Sequence, residues 1–203
     1  MKRNNHRPCV LGKSLRIFIL AGILGGGLGL VFSYAMDGGN IWLDVPFSKQ
    51  EKNLCGAACL YMIMEYWRTH QGVAGELVNT APTPTPEEIS ASLYSAEAKG
   101  IYGTHMASYL GRRGFRTFIF KGSWTDLEDH LSKGRPLIVA LGGPGSTGPK
   151  HYAVVTGLDS SQKFVFLNDP ARRKLGKIDQ SDFLEAWRKT SNWTLLAVPQ
   201  GDS

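Results

Sequence analysis

The change in hydrophobic periodicity near residue 115 constrains the fold of this chain most strongly. Before that point the apolar residues recur at helical spacing, and after it they form the short runs that are typical of strands. The predicted strands are Arg116–Phe120, Leu137–Leu141, Tyr152–Gly157, Lys163–Leu167 and Trp193–Val198. Helices followed by mainly antiparallel strands predict an α+β fold in which a helical half faces a sheet.

Three helices are predicted in the first half of the chain. The first covers Cys55 to Arg68. The second has Thr85 as its cap, proline in its first turn and a glutamate placed for a capping box, and it is predicted to run to about Lys99. The third runs from about Thr104 to the glycines at 111–114. Ile41–Phe47 is predicted to be extended, residues 124–133 and 181–189 to be helical, and the polar stretch after Leu167 to be a turn.

The positive charge of the chain is concentrated at its N-terminus. The net charge is +6, but the first 35 residues carry five of the 23 basic residues and none of the 17 acidic ones. The remaining 18 basic and 17 acidic residues nearly balance. A nucleic-acid partner is therefore not predicted for the domain that follows.

Residues 1–35 have the pattern of an export signal. A basic stretch ends at Arg16, and Ile17–Phe32 is sixteen residues without a charge. Ser33-Tyr34-Ala35 then offers the small residues of a signal-peptidase site. The sequence predicts either a cleaved signal peptide or a retained membrane anchor over residues 1–35, a linker over 36–40 and one exported domain over 41–200.

Cys55 is the first candidate for a functional side chain, because it stands where its helix is predicted to begin. The N-terminus of a helix has free backbone N–H groups and partial positive charge, which stabilise a thiolate and lower the pKa of the thiol. The following Gly56 is expected to leave room for a substrate backbone. Cys59, Met62 and Met64 lie further along the helix and are predicted to fill the core rather than to bind a metal.

His151 and Asp169 are predicted to complete a nucleophilic site. Of the five histidines, only His151 opens a strand directly after a glycine-rich loop. The next strand ends at Asn168-Asp169-Pro170, so antiparallel pairing would bring Asp169 beside the His151 ring; a structural turn is the other interpretation of this tripeptide. Gln50, five residues before the cysteine, is a candidate donor to an oxyanion, although an ordinary surface glutamine is the alternative.

Three blocks of sequence carry a resemblance to a known family. VPFSKQEKNLCGAACLYMI, GPKHYAVVTGLD and FLNDPA, in that order, resemble the papain-like cysteine peptidases that process bacteriocins at double-glycine leaders, and most closely the stand-alone exported members. The resemblance implies a papain-like fold over roughly Leu43–Val198. It also implies Cys55 as nucleophile, His151 as general base and acid, Asp169 as orienting carboxylate and Gln50 as oxyanion donor.

The resemblance and the motifs together set the expected chemistry. We expect a bacterial peptidase that acts on a peptide or protein outside the cytoplasm, with the membrane as a partner of its N-terminal segment. The glycine-rich loop lacks the Gly-Lys-Ser/Thr ending of a phosphate-binding loop, so no nucleotide is expected. Cys55 and Cys59 have no matching second pair of cysteines, so no metal is expected, and the expected chemistry needs no cofactor. Two alternatives stay open: a papain-like transpeptidase or amidase acting on cell-wall peptide, and a non-catalytic anchored binding module with the same fold.

Overall fold

The computed structural model describes residues 40–51, 53–70, 82–143 and 150–201. These parts contain seven strands, which are β1 (Ile41–Trp42), β2 (Phe115–Lys121), β3 (Leu137–Leu141), β4 (His151–Asp159), β5 (Phe164–Asp169), β6 (Arg173–Asp179) and β7 (Trp193–Pro199). They contain five helices, which are α1 (Cys55–His70), α2 (Pro86–Leu93), α3 (Gly103–Gly111), α4 (Trp124–Ser132) and α5 (Gln180–Arg188). The order of elements is the α+β order that the periodicity predicts.

The strands form one antiparallel sheet in the order β2-β7-β3-β4-β5-β6. The short strand β1 pairs with the far end of β4, where Ile41 faces Leu158. The central strands β3 and β4 are almost fully buried, which explains their nearly continuous apolar sequence. The hydrogen-bonded ladder therefore fixes the start of β4 beside the end of β5, and this is where the candidate site lies.

Helix α1 packs against β4 and supplies the centre of the core. Ten of its residues are buried, among them Leu60, Met62 and Trp67. The Trp67 indole N–H donates to the carbonyl of Ala197 on β7 at 3.0 Å, which satisfies the polar edge of a large buried ring. Because α1 is held along its whole length, the position of its first residue relative to the sheet is fixed by packing.

Two predicted elements are wrong in extent or type. Helix α2 has the expected capping box at Thr85 and Glu88, but it ends at Leu93 rather than near Lys99. Tyr94 is extended, and residues 95–100 form a separate turn in which Lys99 has a φ of 49°. The polar stretch after Leu167 is not only a turn, because Arg173–Asp179 pairs with β5 as an edge strand. An exposed edge strand is polar, so hydrophobic periodicity does not reveal it.

The predicted export signal lies outside the described residues, as does the central part of the glycine-rich loop, residues 144–149. Among the residues that the structure describes, no helix is long and apolar enough to cross a membrane.

Candidate active site

Cys55 is the first residue of α1, as the sequence predicts, and its thiol is free and half-buried. Hydrogen bonds to the His151 ring and to the backbone N–H groups of Tyr152 and Gly56 lower the pKa of this thiol. Hydrogen bonds from N–H groups favour the thiolate over the thiol. The sulfur therefore lies in a setting suited to an ionised nucleophile.

His151 and Asp169 lie side by side because of the register between β4 and β5. Val154 pairs with Asn168, so the antiparallel ladder places the first residue of β4 next to the last residue of β5. The Nε2 atom of His151 lies 2.6 Å from Oδ1 of Asp169. With Nε2 occupied by the carboxylate, Nδ1 is the ring nitrogen left to face the sulfur of Cys55. The expected neighbourhood of the two strand ends is confirmed.

The pKa values of Cys55 and His151 are shifted in opposite directions, and each shift favours the charged form of the group. Burial raises the pKa of the Cys55 thiol, but the hydrogen bonds and the positive charge of His151 outweigh burial, and the pKa ends below its ordinary value. Burial likewise lowers the pKa of His151, yet the hydrogen bonds to Asp169 and Cys55 raise it to about 9. Near neutral pH these shifts favour a thiolate paired with an imidazolium.

The Asp169 carboxylate is held in place by several groups. Burial raises its pKa, but the hydrogen bond and charge of His151 bring the pKa below its ordinary value. Oδ1 also accepts from the backbone N–H of Ala171 at 2.9 Å. The Arg172 guanidinium approaches Oδ2 at 3.4 Å, although its own side chain is 82% exposed. A carboxylate fixed in this way stays ionised and sets the orientation of the His151 ring.

Gln50 joins this group through the backbone. Its N–H donates to the carbonyl of Pro170 at 2.9 Å, directly after Asp169. The backbone of Gln50 therefore lies against the turn that follows Asp169. The side-chain Oε1 of Gln50 is buried and has no hydrogen-bond partner among the described residues. The structure thus brings all four predicted site residues into one region.

The expected role of Gly56 is wrong. The glycine is buried, and a Cβ atom at this position would lie 3.3 Å from Cβ of Ile101 and 3.5 Å from the ring of Tyr152. The missing side chain therefore lets α1 approach the protein interior and not a substrate. Sequence alone cannot separate the two reasons for a glycine beside a nucleophile.

The other sulfur-containing residues of α1 belong to the core, as predicted. Cys59, Met62 and Met64 are at most 5% exposed. Burial raises the pKa of the Cys59 thiol well above its ordinary value, so this second cysteine is held as a neutral thiol. No group of side chains suited to a metal ion occurs among the described residues.

Comparison with known proteins identifies the family of this chain. A family model described as the Peptidase_C39 like family matches residues 42–195. The chain belongs to this family. Family membership implies peptidase activity. No curated protein sequence matches the chain significantly.

Solved structures confirm the fold. A protein from Bacillus anthracis described as a C39-like peptidase is 18% identical, with a TM-score of 0.54 over 81% of this chain and 100% of that one. The peptidase domain of Streptococcus ComA, a bifunctional ABC transporter, is 18% identical, with a TM-score of 0.56 over 77% and 98%. A double-glycine-motif protease from an AMS/PCAT transporter, solved with its leader peptide, is 20% identical, with a TM-score of 0.55 over 78% and 94%. The predicted papain-like α+β fold is thereby confirmed.

Two residues of the candidate site are missed by reasoning from sequence. Tyr152 is the first, because its backbone N–H meets the sulfur, and burial raises the pKa of its own hydroxyl to about 12. Asn168 is the second, because its side chain is fully buried beside Asp169 and bonded to the chain near Val45. Tyr152 follows His151 and Asn168 precedes Asp169 in the sequence, and this adjacency is the only sequence signal that could have identified them.

Proposed function

We propose that this chain is a cysteine peptidase in which Cys55 attacks the carbonyl carbon of a peptide bond. The observation that carries the proposal is the contact of the His151 ring with the Asp169 carboxylate, together with a Cys55 thiol that stands at the start of α1 and whose pKa is lowered by His151. A nucleophile, a base and a group that orients the base are the parts that covalent hydrolysis requires.

The acylation step uses the ion pair as it stands. The Cys55 thiolate forms a C–S bond to the carbonyl carbon, and the carbonyl oxygen takes the negative charge. The Gln50 side-chain amide and the backbone N–H of Cys55 are the proposed donors to that oxyanion, since N–H groups in the first turn have no partner within the helix. The His151 imidazolium gives its proton to the leaving nitrogen as the C–N bond breaks, which leaves a thioester and a free amine.

In deacylation a water molecule attacks the thioester, and His151 accepts a proton instead of donating one. Neutral His151 takes a proton from a water molecule whose oxygen bonds to the thioester carbon. The C–S bond then breaks, Cys55 leaves as the thiolate, and the carboxylic acid product departs. The enzyme regains the thiolate–imidazolium pair, and Asp169 stays ionised throughout.

A peptide is the proposed substrate class. One structural neighbour is a protease solved with a leader peptide, which supports a peptide ligand for this fold. Water is the simplest acyl acceptor for a thioester intermediate that solvent can reach. Transfer to another amine is an outcome that the experiment below distinguishes.

The experiment combines a thiol probe with a peptide library, applied to the full chain. We expect iodoacetamide to alkylate Cys55 rapidly near pH 7 and His151→Ala to slow the alkylation at least tenfold, since the ion pair is then lost. The library, analysed by mass spectrometry, should show new termini with the wild type and none with Cys55→Ala. Products joined to an added amine would indicate transfer. A Cys55 no faster than an unfolded-peptide thiol would contradict the proposal.

We further propose that the domain works outside the cytoplasm as one exported unit over residues 41–200. The support is the basic and then apolar sequence of residues 1–35. Mass spectrometry of the mature N-terminus, together with fractionation of expressing cells, tests this proposal. A protein that keeps Met1 and stays in the cytoplasmic fraction would contradict it.

A further inference from the structure

The end of β5 and the turn that follows it are bonded at two points to the segment that carries Gln50. Asn168 is fully buried, and its Nδ2 donates to the carbonyl of Val45 at 2.9 Å and approaches that of Pro46 at 3.5 Å. At the other end, the Gln50 N–H donates to the carbonyl of Pro170 at 2.9 Å. Residues 168–170 thus contact residues 45–50 at both ends of that segment.

Residues 45–50 have little structure of their own. They form neither helix nor strand, and Pro46 has no backbone N–H to contribute to a ladder. Val45 is 1% exposed and anchors the beginning of the segment in the core. Gln50 lies at the other end, so its position depends on the contacts with residues 168–170.

Asn168 uses its second amide atom to fix the opposite side of the same turn. Its Oδ1 accepts from the backbone N–H of Leu175 on β6 at 2.9 Å. Leu175 has a φ of 51°, a left-handed conformation that is costly for a residue with a side chain and needs support from its surroundings. Both ends of the buried amide are therefore satisfied, and the amide joins residues 45–50, β5 and β6.

We propose that Asn168 is a positioning residue that holds the Gln50 segment against the Asp169 turn, so that the Gln50 amide reaches the oxyanion. This inference rests on the proposed function. Asn168 acts through Gln50, whereas Cys55, His151 and Asp169 are held by α1 and by the β4–β5 ladder. Loss of the Asn168 amide should therefore impair the step that forms an oxyanion and spare the reactivity of the thiol.

Two probes that react at Cys55 separate these effects. Acylation by p-nitrophenyl acetate passes through a tetrahedral oxyanion, whereas alkylation by iodoacetamide does not. For the full chain, with the rate of Cys55→Ala subtracted, we expect Asn168→Ser to slow acylation about tenfold, a fraction of the roughly 10²–10³ that loss of an oxyanion donor costs. Alkylation should stay within about twofold of the wild-type rate, since the ion pair is unaffected.

A double-mutant cycle with Gln50→Ala tests the route of the effect. If Asn168 acts through Gln50, the double variant should be acylated within about threefold of Gln50→Ala alone, because residues in one network are not additive. Multiplying effects would overturn the proposal, as would equal slowing of both probes. Thr190→Val is the matched control, because Thr190 is also buried and donates to the carbonyl of Ala140 at 2.6 Å. It should leave both rates unchanged.

A variant that fails to fold would not end the test. Asn168→Asp keeps an oxygen for the Leu175 N–H, and in its ionised form it cannot donate to Val45. A cooperative thermal unfolding transition would show that this variant is folded, and its acylation should then slow as in Asn168→Ser. If wild-type Cys55 reacts slowly with both probes, the proposed function itself fails, and the inference is overturned with it. A fast wild type with additive variants overturns the inference alone.

Discussion

The Nε2 atom of His151 lies 2.6 Å from Oδ1 of Asp169, and the same oxygen accepts the N–H of Ala171 at 2.9 Å. The contact joins the first residue of β4 to the last residue of β5. Because the ladder fixes both strand ends, the ring is oriented before any substrate arrives. A charged pair that is already in position needs little reorganisation during the reaction.

Asp169→Asn should lower the pKa of His151 below about 9, because the negative charge that stabilises the imidazolium is removed while an amide of the same size remains. The wild-type imidazolium persists until the pH rises through about 9, so in the variant it should be lost at a lower pH. Titration of the His151 ring by NMR measures the midpoint. Alkylation of Cys55 at pH 6–7 should slow several-fold, since a neutral ring no longer favours the thiolate. An unchanged midpoint would refute the role of Asp169.

Arg172→Ala should change the same titration very little. The guanidinium lies 3.4 Å from Asp169 Oδ2, but its side chain is 82% exposed. Ion pairs in such an exposed setting are typically worth about 0.2–1 kcal/mol because water and salt screen them. The His151 midpoint and the acylation rate should both stay within twofold of the wild-type values. A large loss of activity would instead assign Arg172 a direct contact with substrate.

Local signals in the sequence were enough to predict the main parts of the site. The apolar spacing of the residues after Cys55 predicts the start of α1 at that residue. Two antiparallel strands joined by a short turn predict that His151 and Asp169, at the open ends of these strands, lie side by side. Adjacent antiparallel strands bring such ends together by necessity. The fold class followed from the same periodicity.

Features that depend on contacts distant in sequence were not predicted. The hydrogen bond from Asn168 to Val45 joins residues 123 positions apart, and no local pattern encodes it. Gly56 was interpreted as space for a substrate, whereas Ile101 and Tyr152 fill that space. The edge strand β6 has a polar outer face, so its pairing with β5 leaves no hydrophobic signature.

Only one of the two cysteines in α1 should react in the native protein. Cys59 is fully buried, and burial raises the pKa of its thiol well above the ordinary value, whereas the pKa of Cys55 is lowered. Brief treatment with iodoacetamide at pH 7, followed by peptide mapping, should modify Cys55 at least tenfold faster than Cys59, since the thiolate is the reactive form. In urea the two rates should become similar. Rapid native labelling of Cys59 would contradict the packing of α1.

Gly157→Ala should destabilise the fold and disturb the site from a distance. A Cβ atom at this position of β4 would clash with the backbone oxygen of Ile41 on β1, and a backbone atom cannot move away as the end of a flexible side chain can. Overpacking of this kind typically costs about 1–3 kcal/mol of the free energy of unfolding. Because only residues 43–44 separate β1 from residues 45–50, acylation of Cys55 should slow more than its alkylation does.

Gly111→Ala is the control for that substitution. Gly111 ends α3, and no heavy atom lies within 4 Å of the place where its Cβ would stand. Alanine favours a helix over glycine by up to about 1 kcal/mol, so the free energy of unfolding should stay the same or rise slightly. Urea unfolding of both variants measures the difference. If Gly157→Ala were as stable as Gly111→Ala and both probes reacted at wild-type rates, β1 would not hold the segment that carries Gln50.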